Sequence, residues 1–334
     1  MEIAAAISDD PGMMQVRSWW TGLAVAVAAA ACGNVAGSPD ALSSAIDAPV
    51  VVVDAPTGAP DAALPRCNPA TAFGTPVPLT TINTDASDEF LRLSPDELTG
   101  YFSSTRPGGL GGFDIYQTTR ATRDTMFADV TAVPGVNSAE NERRPTVTSD
   151  GLELYVTRLS SANNDDLYQA RRSNTQSSFG PLAALSAVNS PQNDGAPYVL
   201  PDGSAMFFNS DRDGNEDIYR APRAGTGYGA ASRVSGVDLA SSASDGTVVM
   251  STNELVVYLG SNRPGGVGDY DIYRASRAST ADGFGALVNL SEVNTTALEG
   301  PSWVSADDCV LYLTRQVPGP NGNHYDLYVS TRGL

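Results

Sequence analysis

The sequence predicts an all-β protein, a single β-propeller of five four-stranded units, and three observations support this prediction. The eighteen residues SSTRPGGLGGFDIYQTTR, from Ser103, recur as GSNRPGGVGDYDIYRASR from Gly260. The tripeptide Asp-(Ile/Leu)-Tyr occurs five times, at intervals of 51 to 55 residues. Each interval holds short apolar runs cut by Asp-Gly and glycine-rich turns, which predict strands and hairpins. Repeats of about fifty residues with four strands are typical of propeller blades.

The composition fits this prediction and excludes some functions. Gly (32) and Pro (22) are abundant among the 334 residues, and charged residues make up only 17%. The formal net charge of −18 repels phosphate backbones, so we expect no nucleic-acid binding. The single histidine, His324, leaves little room for histidine-based catalysis or a multi-histidine metal site.

Residues 1–31 have the pattern of a secretory signal. Arg17 is followed by SWWTGLAVAVAAAAC, an apolar run too short to span a bilayer. Three alanines precede Cys32, and this arrangement resembles a bacterial lipoprotein signal, in which the cysteine is lipidated and becomes the mature N-terminus. The alternative is ordinary cleavage, with Cys32 removed or left free. Asp9 and Asp10 are unusual in such a signal, so translation could start at Met13 or Met14.

Residues 32–66 are predicted to be the lipidated cysteine followed by a flexible tether. Asp-Ala dipeptides recur every seven residues in a segment rich in Ala, Pro and Asp, and its prolines prevent a continuous helix. The tether would hold residues 67–334, the predicted propeller, away from a membrane. We expect the membrane to be contacted through the lipid anchor only, and the protein to be a monomer.

The repeats fix further positions in each unit. Every aspartate of an Asp-(Ile/Leu)-Tyr group has an arginine six residues later, and this spacing predicts ties between neighbouring strands or blades. The aspartates are Asp114, Asp166, Asp217, Asp271 and Asp326, and the arginines are Arg120, Arg172, Arg223, Arg277 and Arg332.

The two ends of the repeat array are predicted to share one blade. The first strand, from Phe73, has no preceding blade, and the last unit, ending at Arg332, has three strands. Joining them closes the ring and removes exposed sheet edges. The closure brings Cys67 near Cys309, and an exported protein tends to pair such cysteines. The alternative is two unrelated buried thiols.

A third set of residues is acidic in all five units. These acids precede the innermost strand of each blade, so they are predicted to form a ring of carboxylates near one mouth of the channel. They are Asp88, Glu142, Asp194, Asp245 and Glu299. One interpretation is a binding site for Ca²⁺, another cation or a basic peptide segment, because clustered carboxylates need a counter-charge. The other is that each acid fastens its own blade through backbone N–H groups or an arginine.

The units resemble the WD-repeat-like propeller repeats of the TolB type. The stretches that carry the resemblance are LSPDELTGYFSSTRPGGLGGFDIY and VLPDGSAMFFNSDRDGNEDIY with their sister copies, over residues 70–332. The resemblance implies a protein of the bacterial envelope, in the periplasm or lipid-anchored at the outer membrane or cell surface, that acts as a platform for protein interactions. Such propellers typically have six blades, so six is the alternative to the five units counted here.

The sequence lacks the common catalytic signatures. It has no Gly-x-Ser-x-Gly elbow, no phosphate loop and no His-Glu-x-x-His pair. We therefore predict a non-catalytic interaction scaffold without a cofactor, whose partner is an envelope protein or a basic peptide segment. The alternatives are a glycan- or cation-binding propeller, with Ca²⁺ as the candidate ion, and a glycosidase that uses channel carboxylates.

Overall fold

The computed structural model describes residues 66–159, 164–234, 239, 241–320 and 322–334. The predicted signal, Cys32 and all of the tether except Arg66 lie outside these residues. None of the described residues belongs to a helix that is long and apolar enough to cross a membrane.

Within the described residues, twenty-one strands form five antiparallel sheets. The outer strand of the last sheet comes first in the chain and is β1 (Val77–Pro78). Blade 1 contains β2 (Asp88–Leu93), β3 (Thr99–Ser104), β4 (Asp114–Thr119) and β5 (Ala128–Ala132). Blade 2 contains β6 (Glu142–Val147), β7 (Glu153–Leu159), β8 (Asp165–Arg171) and β9 (Ala183–Ala184). Blade 3 contains β10 (Asp194–Val199), β11 (Ala205–Ser210), β12 (Asp217–Ala224), β13 (Gly227–Tyr228) and β14 (Ser232–Arg233). Blade 4 contains β15 (Asp245–Met250), β16 (Val256–Ser261), β17 (Asp271–Ser276) and β18 (Val288–Asn289). Blade 5 contains β19 (Glu299–Val304), β20 (Val310–Gly319), β21 (Gly322–Thr331) and β1.

The five innermost strands, β2, β6, β10, β15 and β19, surround a central channel. Each contacts the innermost strand of both neighbouring blades, and β19 contacts β2, so the ring is closed. The predicted five-bladed propeller is confirmed, and the six-bladed alternative is wrong.

The ring is closed by strands from the two ends of the chain, as predicted. β1 pairs with β21 through Val77↔Val329 and Pro78↔Tyr328, and Phe73 forms a bridge with Arg332. The disulfide between Cys67 and Cys309 is confirmed and joins two residues 242 positions apart in the sequence. One end of this covalent link lies ten residues before β1, and the other lies directly before β20.

The hydrophobic core lies between adjacent blades, because both faces of each blade are covered. This explains why innermost and second strands such as β10 and β11 are buried at every residue. Aromatic residues of one blade's outer segment pack edge-to-face on the second strand of the preceding blade, with ring centroids 5.6–6.5 Å apart. The pairs are Phe73–Tyr258, Tyr101–Phe179, Phe127–Tyr312 and Tyr155–Tyr228.

Each innermost strand carries a register shift near its start, typical of a β-bulge. In three blades the N–H of the third residue donates to a hydroxyl of the preceding blade: Phe90 to Thr314, Arg144 to Ser103 and Ala196 to Thr157. The fifth blade has Pro301 at this position, without an N–H, and the facing residue is Gly260, without a hydroxyl. A Cβ on Gly260 would lie 3.2 Å from Pro301 Cδ, so the two residues match each other.

Candidate functional site

The predicted ring of acids occupies the first position of the five innermost strands, and its carboxylates are fully buried. Each accepts a hydrogen bond from the backbone N–H of the serine or threonine four residues earlier. Each also pairs with an arginine of the second strand or the turn after it. The pairs are Asp88–Arg106 (2.6 Å), Glu142–Arg158 (3.3 Å), Asp194–Arg212 (2.5 Å), Asp245–Arg263 (2.7 Å) and Glu299–Arg315 (2.8 Å).

The length of each acid matches the position of its arginine. Where the acid is aspartate, a serine stands opposite it, and the arginine follows two residues later with its Nε donating to that serine. Where the acid is glutamate, the arginine itself stands opposite, as in Glu142↔Arg158 and Glu299↔Arg315. The ion pair is therefore kept while the residues that form it change.

These contacts favour the interpretation that the acids fasten their blades. Their oxygens are engaged by arginine and backbone groups. Among the described residues no group of three or more His, Cys, Asp or Glu side chains could hold a metal ion. Burial raises the pKa of Glu142, although hydrogen bonds from Ser138 and the charge of Arg158 oppose the rise.

Millimolar Ca²⁺ is expected to leave the melting temperature of the oxidised protein unchanged, because each ring carboxylate already has an arginine as its counter-ion. A thermal melt in EDTA and in CaCl₂ measures this, since a ligand of the folded state raises its stability. A rise with Ca²⁺ that is lost in Asp245→Asn would contradict the fastening role.

The arginines of the Asp-x-Tyr repeats connect neighbouring blades. Each guanidinium stacks on the outer-segment aromatic of its own blade, within 3.8–5.3 Å of the ring centroid. Four also donate to a tyrosine hydroxyl of the preceding blade: Arg120 to Tyr312, Arg172 to Tyr101, Arg223 to Tyr155 and Arg332 to Tyr258. The preceding blade of Arg277 offers Phe207 instead, which has no hydroxyl.

The aspartates of these repeats have other partners than the arginines six residues later. Asp114 and Asp271 accept hydrogen bonds from backbone N–H groups of their own hairpin loops. The N–H of Leu110 donates to Asp114 at 2.8 Å, and that of Val267 donates to Asp271 at 2.6 Å. Asp217 pairs with Arg233, and Asp326 lies 3.5 Å from His324 Nε2. Asp166 stands opposite Arg158 in the β7–β8 register. The aspartates thus act within their own blades.

Residues that differ from blade to blade form a cavity of about 180 Å³ in the channel. We call it the arginine–glutamate pocket, and its lining includes Glu89, Arg143, Arg144, Glu216, Tyr270 and Tyr325, together with the ring acid Glu299. The first four are charged. The equivalent positions of most other repeats hold uncharged residues. The bulges of the innermost strands present Phe90 and Arg144 here, both with a positive φ.

Two of the charges neutralise each other. Glu89 accepts from Arg143 Nε at 2.8 Å and Nη2 at 3.1 Å, and the Arg143 guanidinium stacks on Phe113 at 4.4 Å. Arg144 stacks on Phe90 at 5.1 Å, and its buried Nε has no hydrogen-bond partner. Burial, and then the charge of Arg143, lower the pKa of Arg144. No carboxylate of the described residues lies within ion-pair distance of Arg144.

Glu216 is held by neutral groups. It accepts hydrogen bonds from the Asn209 amide and from the Tyr270 hydroxyl, the latter at 3.1 Å. Burial, with the charge of Glu216, raises the pKa of Tyr270 to about 12, so the phenol keeps its proton and donates. The cavity therefore offers one cation and one carboxylate that the described chain does not pair with each other.

This site was not predicted from the sequence, although its signal is visible in the repeats. The ring acids are followed by Glu-Phe, Arg-Arg, Gly-Ala, Gly-Thr and Gly-Pro. Positions that fasten blades recur in every copy, whereas a site in the channel is built from positions where the copies differ. Only the recurring positions entered the prediction.

No protein-family model matches the sequence, and neither does any curated protein. Among solved structures, TolB from Acinetobacter baumannii is similar with a TM-score of 0.50 and 17% identity, over 76% of this chain and 56% of that one. The chain thus spans little more than half the length of that TolB. An α-L-arabinofuranosidase from Podospora anserina, in complex with cellotriose, is similar with a TM-score of 0.50 and 11% identity, over 78% of this chain and 96% of that one. At these identities the similarity shows the propeller fold alone.

The prediction that the protein is not an enzyme is corrected by this comparison. A glycoside hydrolase shares the fold to the same extent as a TolB protein does. The absence of familiar catalytic motifs does not exclude catalysis on a propeller, because a glycosidase needs only two placed carboxylates. The channel holds Glu89 and Glu216, which the prediction did not consider.

Proposed function

We propose that the arginine–glutamate pocket binds an acidic sugar residue of a glycan. The observation that carries this proposal is the presence of Arg144 and Glu216 without ion-pair partners in one aromatic-lined cavity. A guanidinium pairs strongly with a carboxylate, and a carboxylate side chain accepts from hydroxyl groups. The protein is then an exported binding protein of the bacterial envelope, anchored through Cys32.

The dimensions and walls of the cavity support a single sugar-sized group. A volume of about 180 Å³ lies below the range usual for drug-sized ligands, so it suits a small group. Tyr270 and Tyr325 provide apolar surface with polar tips, which suits a ligand that has both C–H and O–H groups.

The protein-interaction scaffold predicted from the TolB resemblance stays a prediction. The basic partner segment expected at the acid ring loses its physical reason, because all five ring carboxylates have arginine partners. The cation without an ion pair in the channel favours an anionic partner instead.

Arg144→Asn is expected to weaken the binding of glucuronate by about ten- to hundredfold, because one charge-assisted contact is lost. Asparagine tolerates the positive φ of this position, so the backbone is preserved. Isothermal titration with glucuronate and with glucose measures the effect, and glucose should bind weakly to both proteins. Arg220→Met, a change at an exposed arginine, is the control and should bind glucuronate like the wild type. Equal binding by wild type and Arg144→Asn would refute the proposal.

Hydrolysis of the bound glycan is the second candidate function, because Glu89 and Glu216 line the same cavity. Water would add across the glycosidic bond, with one carboxyl donating a proton to the leaving oxygen and the other assisting the attack. Incubation with oligogalacturonate and measurement of new reducing ends tests this candidate. Release that stops in Glu216→Gln but continues in Asp124→Asn supports hydrolysis, and no release refutes it while leaving the binding function intact.

A further inference from the structure

A second cavity, of about 510 Å³, lies where the innermost strands end. Its lining includes residues 92–93, 146–147, 198–199 and 303, whereas the arginine–glutamate pocket is lined by residues near the strand starts. The two cavities therefore occupy opposite ends of the channel. We call this one the Arg92 pocket.

Arg92 is the polar centre of this pocket. The residue is 4% exposed, and its guanidinium stacks on Tyr198, 5.2 Å from the ring centroid. Nε and Nη1 are buried without a hydrogen-bond partner, and no carboxylate of the described residues pairs with Arg92. The hydroxyl of Tyr198 is engaged elsewhere, because it donates to the carbonyl oxygen of Met250 at 2.7 Å.

The acids of the pocket do not neutralise the charge of Arg92, because both pair with Arg66. Glu97 accepts hydrogen bonds from both terminal nitrogens of Arg66, at 2.9 and 3.0 Å. Asp307 accepts hydrogen bonds from Nε and Nη2 of the same arginine, each at 2.8 Å. With Arg123, which lies 3.8 Å from Glu97, three arginines face two carboxylates in this cavity. A site with an excess positive charge is unusual in a chain whose net charge is −18.

The remaining wall is mainly apolar and aromatic. Leu93, Val147, Val199, Pro201 and Trp303 face the cavity with Tyr198. A cavity of this volume, with apolar walls and one convergent charge, has the form of a small-molecule site. An unpaired buried guanidinium is costly, and a bound anion would remove that cost. Burial lowers the pKa of Arg92 to about 10, which is consistent with a cation that lacks a counter-ion.

We propose that the Arg92 pocket binds an organic acid, a carboxylate attached to an aromatic or aliphatic body. The carboxylate pairs with Arg92, and the body packs between Tyr198 and Trp303. This site is separate from the arginine–glutamate pocket and does not depend on its function.

Phenylacetate is the probe, 2-phenylethanol has the same skeleton without the charge, and acetate has the charge without the body. Isothermal titration of the full chain should detect phenylacetate and give at least tenfold weaker binding for both comparators. Phenylacetate should also change the fluorescence of Trp303, and this change should vanish in Trp303→Phe. Arg144→Asn should bind phenylacetate like the wild type, because it alters only the other cavity.

Arg92→Met should bind phenylacetate at least tenfold more weakly than the wild type. Without ligand it should melt at the same or a higher temperature, because a buried charge is removed. Binding retained by Arg92→Met, or equal binding of 2-phenylethanol by the wild type, would overturn the proposal, as would no binding of phenylacetate. Should Arg92→Met not fold, Val147→Trp keeps Arg92 and fills the cavity. Unchanged phenylacetate binding by that variant would equally overturn the proposal.

Discussion

Loss of the Cys67–Cys309 bond is expected to lower the free energy of unfolding by about 5 kcal/mol in the chain-entropy description of disulfides. The bond closes a loop of 242 residues, so the unfolded chain gains much freedom when it is removed. The non-covalent closure consists of the two residue pairs of β1, the Phe73–Arg332 bridge and further hydrogen bonds, such as Gly74 N–H to Thr331 and Leu79 N–H to Leu327. Both cysteines are almost fully buried, so alanine is a suitable replacement.

Guanidinium unfolding of the wild type and of the double variant Cys67→Ala/Cys309→Ala measures this effect. The wild type should lose the same stability when a reducing agent is added. The double variant should be insensitive to that agent, which controls for other effects of the reductant. A difference below about 1 kcal/mol would mean that blade 5 is closed by β1 and its neighbours alone.

Asp194→Asn is expected to cost about 3–5 kcal/mol, the range for breaking a buried ion pair from one side. Asp194 is fully buried, and Arg212 would lose the anion that lies 2.5 Å from its Nη2. Asp124→Asn makes the same chemical change in an exposed loop and should alter stability by less than about 0.5 kcal/mol. Denaturant unfolding of the two variants compares them directly. Equal stabilities would show that the ring acids do not fasten the blades.

The match between acid length and arginine position adds a second test of the same role. Glu142→Asp keeps the charge but shortens the side chain opposite Arg158, so the ion pair should weaken and the stability should fall. A ring acid that served only as a charge would tolerate this change.

The repeats made the architecture predictable from the sequence. Asp-x-Tyr and the ring acids recur with the blade period, so the number of blades and the shared blade of Phe73 and Arg332 followed from counting. The cysteine pair followed from that closure. These features depend on order along the chain and need no knowledge of distances.

The partners of the charged side chains could not be predicted in this way. The register places each acid opposite the residue sixteen positions later, which is a serine for Asp88 and an arginine for Glu142, so Arg106 and Arg158 follow their acids by 18 and 16 residues. The register depends on bulges that no sequence pattern announced. The two cavities were missed for another reason: Arg92 and Arg144 have no charged counterparts in the other repeats and Glu216 has only Asp165, so these positions do not recur.

The position of the disulfide also has a mechanical consequence. A pull on the chain before Arg66 reaches Cys67 ten residues before it reaches β1. The covalent bond therefore carries the load into β20, and the two-residue ladder between β1 and β21 is not peeled apart. A propeller held at its N-terminus against flow or crowding would keep its ring intact for as long as that bond stays oxidised.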